Sequence, residues 1–133
     1  MQSFEIDKSD VLKVKNAILA GDETLKGVLE EYHASEIAIL FERLDKSEQR
    51  YIINLLPAEI ASEIISEMDE ESHPENLLFE LHPDKRTEIV EELDYDDATD
   101  IISQLEDHEQ AEILEDLQDE HASEIRNLLT YDE

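Results

Sequence analysis

Large apolar residues recur along this chain every twelve residues, with one interval of thirteen. The series is Leu44, Leu56, Met68, Leu81, Leu93, Leu105, Leu117 and Leu129. Most members are preceded by apolar residues three and four positions earlier, as Ile52 and Ile53 precede Leu56. Residues at these spacings lie on one face of an α-helix, so each unit predicts a short amphipathic helix. A fixed period of this kind indicates a repeat architecture.

Short polar segments separate the apolar units and supply residues that begin helices. They are Asp45-Lys46-Ser47, Asp69-Glu70-Glu71, Asp94-Tyr95-Asp96-Asp97 and Asp119-Glu120. Asp side chains accept hydrogen bonds at helix N-caps, and acidic side chains in the first turn interact favourably with the helix dipole. Each unit is therefore predicted to be a turn followed by a helix of roughly two to three turns.

Helices of this length are unstable alone in water, because nucleation is costly and few hydrogen bonds follow it. Their stability must come from stacking on neighbouring units. The predicted fold is all-α, a right-handed superhelix of short antiparallel helices that forms an armadillo-like helical repeat array. A content of only 2 Gly and 3 Pro also disfavours turn-rich β folds.

The chain is predicted to form one domain over residues 1–133, since no Pro-rich or Gly-rich linker divides it. Residues 1–32 are expected to form a capping hairpin, in which Gly21 ends the first helix. Repeats of about twelve residues are expected to fill 33–133. The apolar positions of the two hairpin helices are Val11, Val14, Ile18, Leu19, Leu25, Val28 and Leu29.

The charge balance limits the possible partners. Ten basic residues against 38 acidic ones give a net charge of -28, which repels nucleic acid phosphates and anionic membrane surfaces. Cations and basic proteins are the expected partners. The chain has no cysteine, which excludes disulfides and thiolate metal sites, and no apolar stretch approaches the roughly 20 residues that span a bilayer. We therefore expect a soluble cytosolic chain without membrane insertion.

Enzyme chemistry is not predicted. The sequence contains no glycine-rich phosphate loop and no nucleophile with a recognisable base, and its Asp-rich turns lack the internal Gly of a calcium-binding EF-hand loop. The histidines lie on separate turns, where cap or surface roles are expected. They are His33, His73, His82, His108 and His121.

The excess of carboxylates points to cation binding instead. Packed acidic helices repel one another, and a hard divalent cation such as Mg²⁺ relieves that repulsion through oxygen ligands and its own waters. Asp96 and Asp100 are four residues apart at a predicted helix start and would share one face. The alternative is that Asp94 or Asp96 is only an N-cap and Asp100 a solvated side chain.

Several segments resemble a known family. They are Leu40-Phe41-Glu42-Arg43-Leu44, Leu55-Leu56-Pro57-Ala58-Glu59 and Glu91-Glu92-Leu93-Asp94. With them the chain resembles the cytosolic N-terminal regulatory domain of MgtE-type magnesium transporters. The likeness runs from Ala20-Gly21-Asp22 to Leu128-Leu129-Thr130-Tyr131.

The resemblance implies a Mg²⁺-sensing domain that lies on the cytoplasmic side of the inner membrane. In that family the helical domain precedes CBS domains and a membrane pore, and Mg²⁺ bound between the acidic domain and the CBS domains favours pore closure. The resemblance assigns the metal ligands to Glu63, Asp96 and Asp100. CBS and membrane domains are absent from this chain, so we expect a fragment that binds Mg²⁺ weakly. The fragment is expected to be a monomer, and the full-length protein a homodimer.

A second interpretation is a protein-interaction scaffold. Flagellar motor switch proteins and armadillo-like scaffolds use similar arrays of short helices, and an acidic surface would then select a basic partner. The downstream reading frame discriminates the two, because CBS domains and about five apolar segments of roughly 20 residues would indicate a transporter.

Overall fold

The structure is a computed structural model that describes residues 6–131, with side chains through Leu129. Residues 1–5 of the predicted capping hairpin and residues 132–133 of the last repeat lie outside this part. The described part contains α-helices, one 3-10 helix and no strand, so the predicted all-helical repeat fold is confirmed. The helices are α1 (Lys8–Ala20), α2 (Asp22–Leu29), α3 (Ala34–Phe41), α4 (Lys46–Leu55), α5 (Ala58–Glu67), η1 (Glu70–Ser72), α6 (Pro74–Glu80), α7 (Pro83–Glu92), α8 (Tyr95–Ile102), α9 (Asp107–Asp116) and α10 (Asp119–Tyr131).

The twelve-residue period has a simple structural origin. A helix of ten residues, such as α4, α5 or α7, is followed by a connection of two residues, as at Leu56-Pro57 and Leu93-Asp94. Five members of the series are helix C-caps, namely Leu56, Met68, Leu81, Leu93 and Leu117. Leu44 and Leu105 lie in the four-residue connections after the shorter helices α3 and α8. The interval of thirteen contains η1, which is inserted between α5 and α6. All members of the series from Leu44 to Leu117 are buried, and Leu129 packs partly buried against the core.

Alternate helices make the closest contacts in the array. Helix α3 packs on α5, α5 on α7, α7 on α9, and α8 on α10, while α1 pairs with α2. One cluster of buried apolar residues runs from Val14 to Ile125. Each short helix is thus stabilised by packing on at least one other helix, as the stacking argument requires. The division into a hairpin over 1–32 and repeats over 33–133 stays a prediction.

Three histidines occupy helix starts, as the sequence predicts. His33, His73 and His82 are the N-caps of α3, α6 and α7. The Nδ1 atom of His82 accepts a hydrogen bond from the backbone N–H of Asp84 at 3.1 Å. His73 has a φ of 57° and is followed by Pro74, which begins α6. The three residues therefore hold structural positions at helix starts, and His82 caps α7 with its side chain.

The fourth residue of α4, α7 and α9 stabilises the end of an earlier helix, which sequence reasoning did not predict. Gln49, Arg86 and Gln110 hold this position. Each side chain donates to backbone carbonyls at or just beyond the end of the preceding helix, which have no partner within that helix. The acceptors are the carbonyl oxygens of Phe41 (2.7 Å) and Leu44 (3.3 Å) for Gln49, Phe79 (3.3 Å) for Arg86 and Leu105 (2.9 Å) for Gln110.

The α1–α2 hairpin turns at Gly21 and is held to the array by side-chain contacts. Gly21 has a φ of 123°, which residues with a side chain rarely adopt, and its N–H donates to the carbonyl of Ala17. Tyr32 donates to Asp10 Oδ1 at 2.7 Å, and Lys15 pairs with Glu48 at 3.1 Å. Gly21 therefore ends α1 as predicted, but its ψ of 169° differs from that of the left-handed cap that the sequence predicts.

Tyr32 is expected to titrate later than an ordinary tyrosine. Burial and the hydrogen bond to Asp10 raise the pKa of Tyr32 above its usual value of 10.0. A raised folded-state pKa means that the contact stabilises the fold below pH 10 and that this contribution is lost as pH rises through the higher folded value. We expect Tyr32→Phe to remove a late phase from the ultraviolet phenolate titration and to cost about 1 kcal/mol of stability. If the amplitude that Tyr32→Phe removes lies near pH 10, where an ordinary tyrosine titrates, the Tyr32–Asp10 contact is contradicted.

Candidate metal centre

The three predicted metal ligands lie on two helices of the array. Glu63 lies in α5, Asp96 in the first turn of α8 and Asp100 one turn later. All three side chains are exposed. Helix α8 buries Ala98, Thr99, Ile101 and Ile102, so its remaining positions present carboxylates to solvent. The sequence pattern therefore places these acids on the surface for a packing reason.

Glu63 lines a groove formed by α5, the end of α7 and the start of α8, which we call the acidic groove. Its volume is 310 Å³. The hydroxyls of Ser62 and Ser66 donate to the carbonyls of Glu59 and Glu63 within α5, which leaves carboxylates as the groove's main polar groups. The lining residues are Glu59, Ser62, Glu63, Ser66, Glu92, Leu93, Asp94 and Asp97.

Asp100 lines a neighbouring groove of 420 Å³, which we call the adjacent groove. Its acidic lining residues are Glu70, Glu75, Asp97 and Asp100. Glu75 is buried, and its Oε2 lies 3.0 Å from Nδ1 of His73. Asp97 lines both grooves and joins them into one acidic surface.

The structure thus groups the predicted ligands differently from the sequence. Glu63 meets Asp97 in the acidic groove, Asp100 meets Asp97 in the adjacent groove, and Asp96 lines neither. The sequence analysis did not single out Asp97, because it considered the pair four residues apart, Asp96 and Asp100. Asp97 and Asp100 are three residues apart and share a helix face equally well, so this spacing could have indicated Asp97 from the sequence.

Positive charge is missing from this surface. Among the described residues that line the two grooves, none is Lys, Arg or His. Beyond Arg50 the basic residues of the chain are Lys85, Arg86 and Arg126. Lys85 donates to the carbonyl of Leu56 at 2.6 Å, and Arg86 pairs with Asp116 at 3.0 Å. The repulsion among the groove carboxylates is therefore left for a cation to relieve.

The geometry favours a cation that keeps its waters. Within the described residues, no three His, Asp or Glu side chains are close enough to hold a metal ion together. Mg²⁺ loses its hydration shell reluctantly and commonly binds through one or two carboxylates while it retains several waters. The two grooves fit such an ion, since their carboxylates can accept hydrogen bonds from its water ligands.

Glu63 also borders a groove of mixed character that is larger than the acidic groove and the adjacent groove. This groove has a volume of 740 Å³, and its lining includes Lys26, Tyr32, Ile60 and Lys85. Ile60 is 40% exposed, which is high for an isoleucine. The surface beside the acidic groove therefore offers apolar contacts as well as charge. None of the described helices has the length and apolar character needed to span a membrane.

Two solved structures share this architecture. One is described as "Crystal structure of the cytosolic domain of the Mg2+ channel MgtE in complex with ATP", with a TM-score of 0.79 and 24% identity, covering 90% of this chain and 50% of that one. The other, "Crystal structure of the soluble part of a magnesium transporter", has a TM-score of 0.75 and 21% identity, covering 92% of this chain and 47% of that one. At these identities the likeness shows the fold. This chain spans about half the length of either neighbour.

The sequence comparisons identify the family. No curated protein sequence matches this chain significantly. The family model for the MgtE intracellular N domain matches residues 32–133, which is most of the chain and includes all three predicted ligands. The match confirms the resemblance drawn from the repeat segments. This chain therefore belongs to the family of MgtE intracellular N domains.

Proposed function

We propose that this chain is the magnesium-sensing regulatory domain of a magnesium transporter, lies on the cytoplasmic side of the membrane, and has no catalytic activity of its own. The observation that carries the proposal is the joined acidic surface. Eight carboxylates line the acidic groove and the adjacent groove, and no basic side chain lines either among the described residues. The two structural neighbours, described as parts of a Mg²⁺ channel and of a magnesium transporter, agree with this proposal.

Magnesium would act on this surface by relieving repulsion. Glu63, Asp97 and Asp100 would bind the ion or its waters. Asp96 is exposed and lies outside both grooves, so it would contribute to an ion shared with the CBS domains of the full-length chain. This chain alone then offers each ion an incomplete shell, and weak binding follows.

Mg²⁺ would control the pore because its binding is thermodynamically linked to the arrangement of the acidic domain and the CBS domains. The charge of -28 drives the acidic domain away from other acidic surfaces when Mg²⁺ is scarce. Bound Mg²⁺ favours the arrangement in which the domain and the CBS domains share ions, and it shifts the equilibrium by its difference in affinity for the two arrangements. Several weak ions at one interface can therefore close a pore that one such ion could not.

The natural reading frame offers the first test. If CBS domains and about five apolar segments of roughly 20 residues follow this domain, the transporter proposal gains support. If they are absent, the acidic interaction scaffold with a basic partner is favoured instead.

Transport by the full-length protein offers the second test. We expect Glu63→Gln, Asp97→Asn and Asp100→Asn together to raise the Mg²⁺ concentration that half-inhibits transport by about tenfold, because the inhibited arrangement loses its ion contacts. The readout is Mg²⁺ flux into liposomes that contain the purified protein. Glu115→Gln, Glu120→Gln and Glu124→Gln make the same charge change on α9 and α10, outside both grooves, and should leave inhibition unchanged. If the two triple variants are half-inhibited at the same Mg²⁺ concentration, the proposal is contradicted.

A further inference from the structure

The first helix carries the most exposed large apolar side chains of the described residues. On α1, Leu12 is 58% exposed and Leu19 is 86% exposed, whereas Ile60, the next in order, is 40% exposed. Helix α1 is the first of the array and packs mainly on α2. End units of helical repeat arrays ordinarily have a polar outer face, because no further unit covers them. An apolar outer face on α1 therefore points to a partner that covers it.

Leu12 and Leu19 belong to one stripe along the outer side of α1, which we call the α1 stripe. It consists of Lys8, Leu12, Lys15 and Leu19. These residues follow one another at intervals of four, three and four, which is the spacing of a seam between two packed helices. The buried residues of α1 lie on its opposite side. Lys15 pairs with Glu48 at 3.1 Å, which neutralises the middle of the stripe.

The negative charge of the chain is concentrated away from this end. Residues 1–50 hold 7 basic and 11 acidic side chains, a net charge of -4, whereas residues 51–133 hold 3 and 27, a net charge of -24. A basic partner is therefore drawn to residues 51–133, and an anionic membrane is repelled by them. Two copies that meet through α1 bring together the least acidic part of the chain. The expectation of a monomer rests on the total charge of -28, of which this end holds little.

We propose that the α1 stripe binds the same stripe of a second copy as an antiparallel helix pair. A two-fold axis near Lys15 places Leu12 of each copy against Leu19 of the other, because the two leucines lie at nearly equal distances on either side of the axis. The Lys15–Glu48 pairs of both copies then meet at the axis without net charge. Helix α1 lies outside residues 32–133, which match the family model, and the pairing does not depend on the function proposed above.

Charged side chains at the two ends of the stripe favour the antiparallel direction. Lys8 begins α1, and Glu23 is the second residue of α2, directly after the turn at Gly21. In an antiparallel pair the start of each α1 lies beside the end of the other, so Lys8 lies beside Glu23 of the partner subunit. Lys8 and Glu23 are exposed and make no ion pair within the described part of the chain. A parallel pair would instead place like charges side by side.

Sedimentation velocity over a range of chain concentrations, at about 0.15 M salt, tests the pairing. We expect a reversible monomer–dimer equilibrium with a Kd on the order of 100 µM, because the leucines bury only a small interface. Leu12→Gln with Leu19→Gln should weaken the dimer by about tenfold. Ile39→Gln with Ile60→Gln is the matched control, since it changes two exposed isoleucines of α3 and α5 and should leave the dimer unchanged.

A charge exchange tests the antiparallel direction. Lys8→Glu and Glu23→Lys should each weaken the dimer by about threefold, because each replaces two equivalent ion pairs by like charges. The double variant Lys8→Glu, Glu23→Lys should restore the wild-type affinity, since it re-forms both pairs with their signs exchanged. Apolar association without this geometry would not be restored by the exchange.

The proposal is overturned if the wild-type chain stays monomeric up to about 1 mM. It is also overturned if the leucine and isoleucine variants weaken the dimer equally, or if the double charge exchange fails to restore it. Vesicles of phosphatidylglycerol test the other occupant of such a face. If the chain is monomeric in solution and cosediments with these vesicles through Leu12 and Leu19, the α1 stripe binds a membrane and not a second copy.

Discussion

Arg86→Ala is expected to lower the free energy of unfolding by about 3 kcal/mol. The guanidinium is 2% exposed, donates to the carbonyl of Phe79, pairs with Asp116 and lies 5.3 Å from the centroid of the Phe79 ring. Truncation removes these contacts at once and leaves a cavity between α6, α7 and α9. The Asp116 side chain is 39% exposed and can be rehydrated, which places the cost at the lower end for a broken buried ion pair.

Denaturant unfolding followed by circular dichroism measures this loss. Gln110→Ala serves as the control, because Gln110 occupies the equivalent helix position and makes one hydrogen bond to Leu105, for an expected cost of about 1 kcal/mol. Arg86→Met should lie between the two, since it restores volume without the donors. A cost for Arg86→Ala no greater than that for Gln110→Ala would show that the buried guanidinium does not join the helices.

Neutralising the joined acidic surface is expected to stabilise the chain when Mg²⁺ is absent. The triple variant Glu63→Gln, Asp97→Asn, Asp100→Asn should raise Tm by about 5 °C at low ionic strength, because it removes repulsion in two grooves that no basic side chain lines among the described residues. Lys26 and Lys85 border Glu63 in the neighbouring groove, which limits the gain. Asp97 lies in the first turn of α8, and its favourable interaction with the helix dipole limits the gain. Added NaCl should shrink the difference, since salt screens exposed charges.

Thermal unfolding with and without salt is the measurement. The α9–α10 control, Glu115→Gln, Glu120→Gln and Glu124→Gln, changes net charge equally but lies outside both grooves. We expect a smaller gain for it. If the two triple variants gain equally, total charge alone decides stability, and the grooves have no special role.

The twelve-residue period predicted the helical array because one period corresponds to one helix and its connection to the next helix. A ten-residue helix and a two-residue connection return the chain to the same environment every twelve residues, so Leu56 and Leu93 mark equivalent corners. What the period does not encode is which helices touch. The roles of Gln49, Arg86 and Gln110 depend on carbonyls at the ends of earlier helices, and sequence spacing does not show that proximity.

The candidate site could be predicted only in part, because the sequence shows which residues are acidic but not which of them share a groove. The acidic residues of α5 and α8 are evident in the sequence, and the family resemblance singled out Glu63, Asp96 and Asp100. The packing of the array then decides which acids face a common groove: Asp97 lines both grooves and Asp96 lines neither. The assignment of these residues as metal ligands stays a prediction.

A Mg²⁺ titration of the ¹⁵N-labelled chain, followed by backbone amide shifts at constant ionic strength with a sodium control, tests the central claim most directly. We predict saturable shifts that cluster at Glu63, Asp96, Asp97 and Asp100 and that vanish in the triple variant Glu63→Gln, Asp97→Asn, Asp100→Asn. Small, linear shifts spread over every acidic turn would instead show a screened polyanion. That result would contradict a magnesium-sensing surface on α5 and α8.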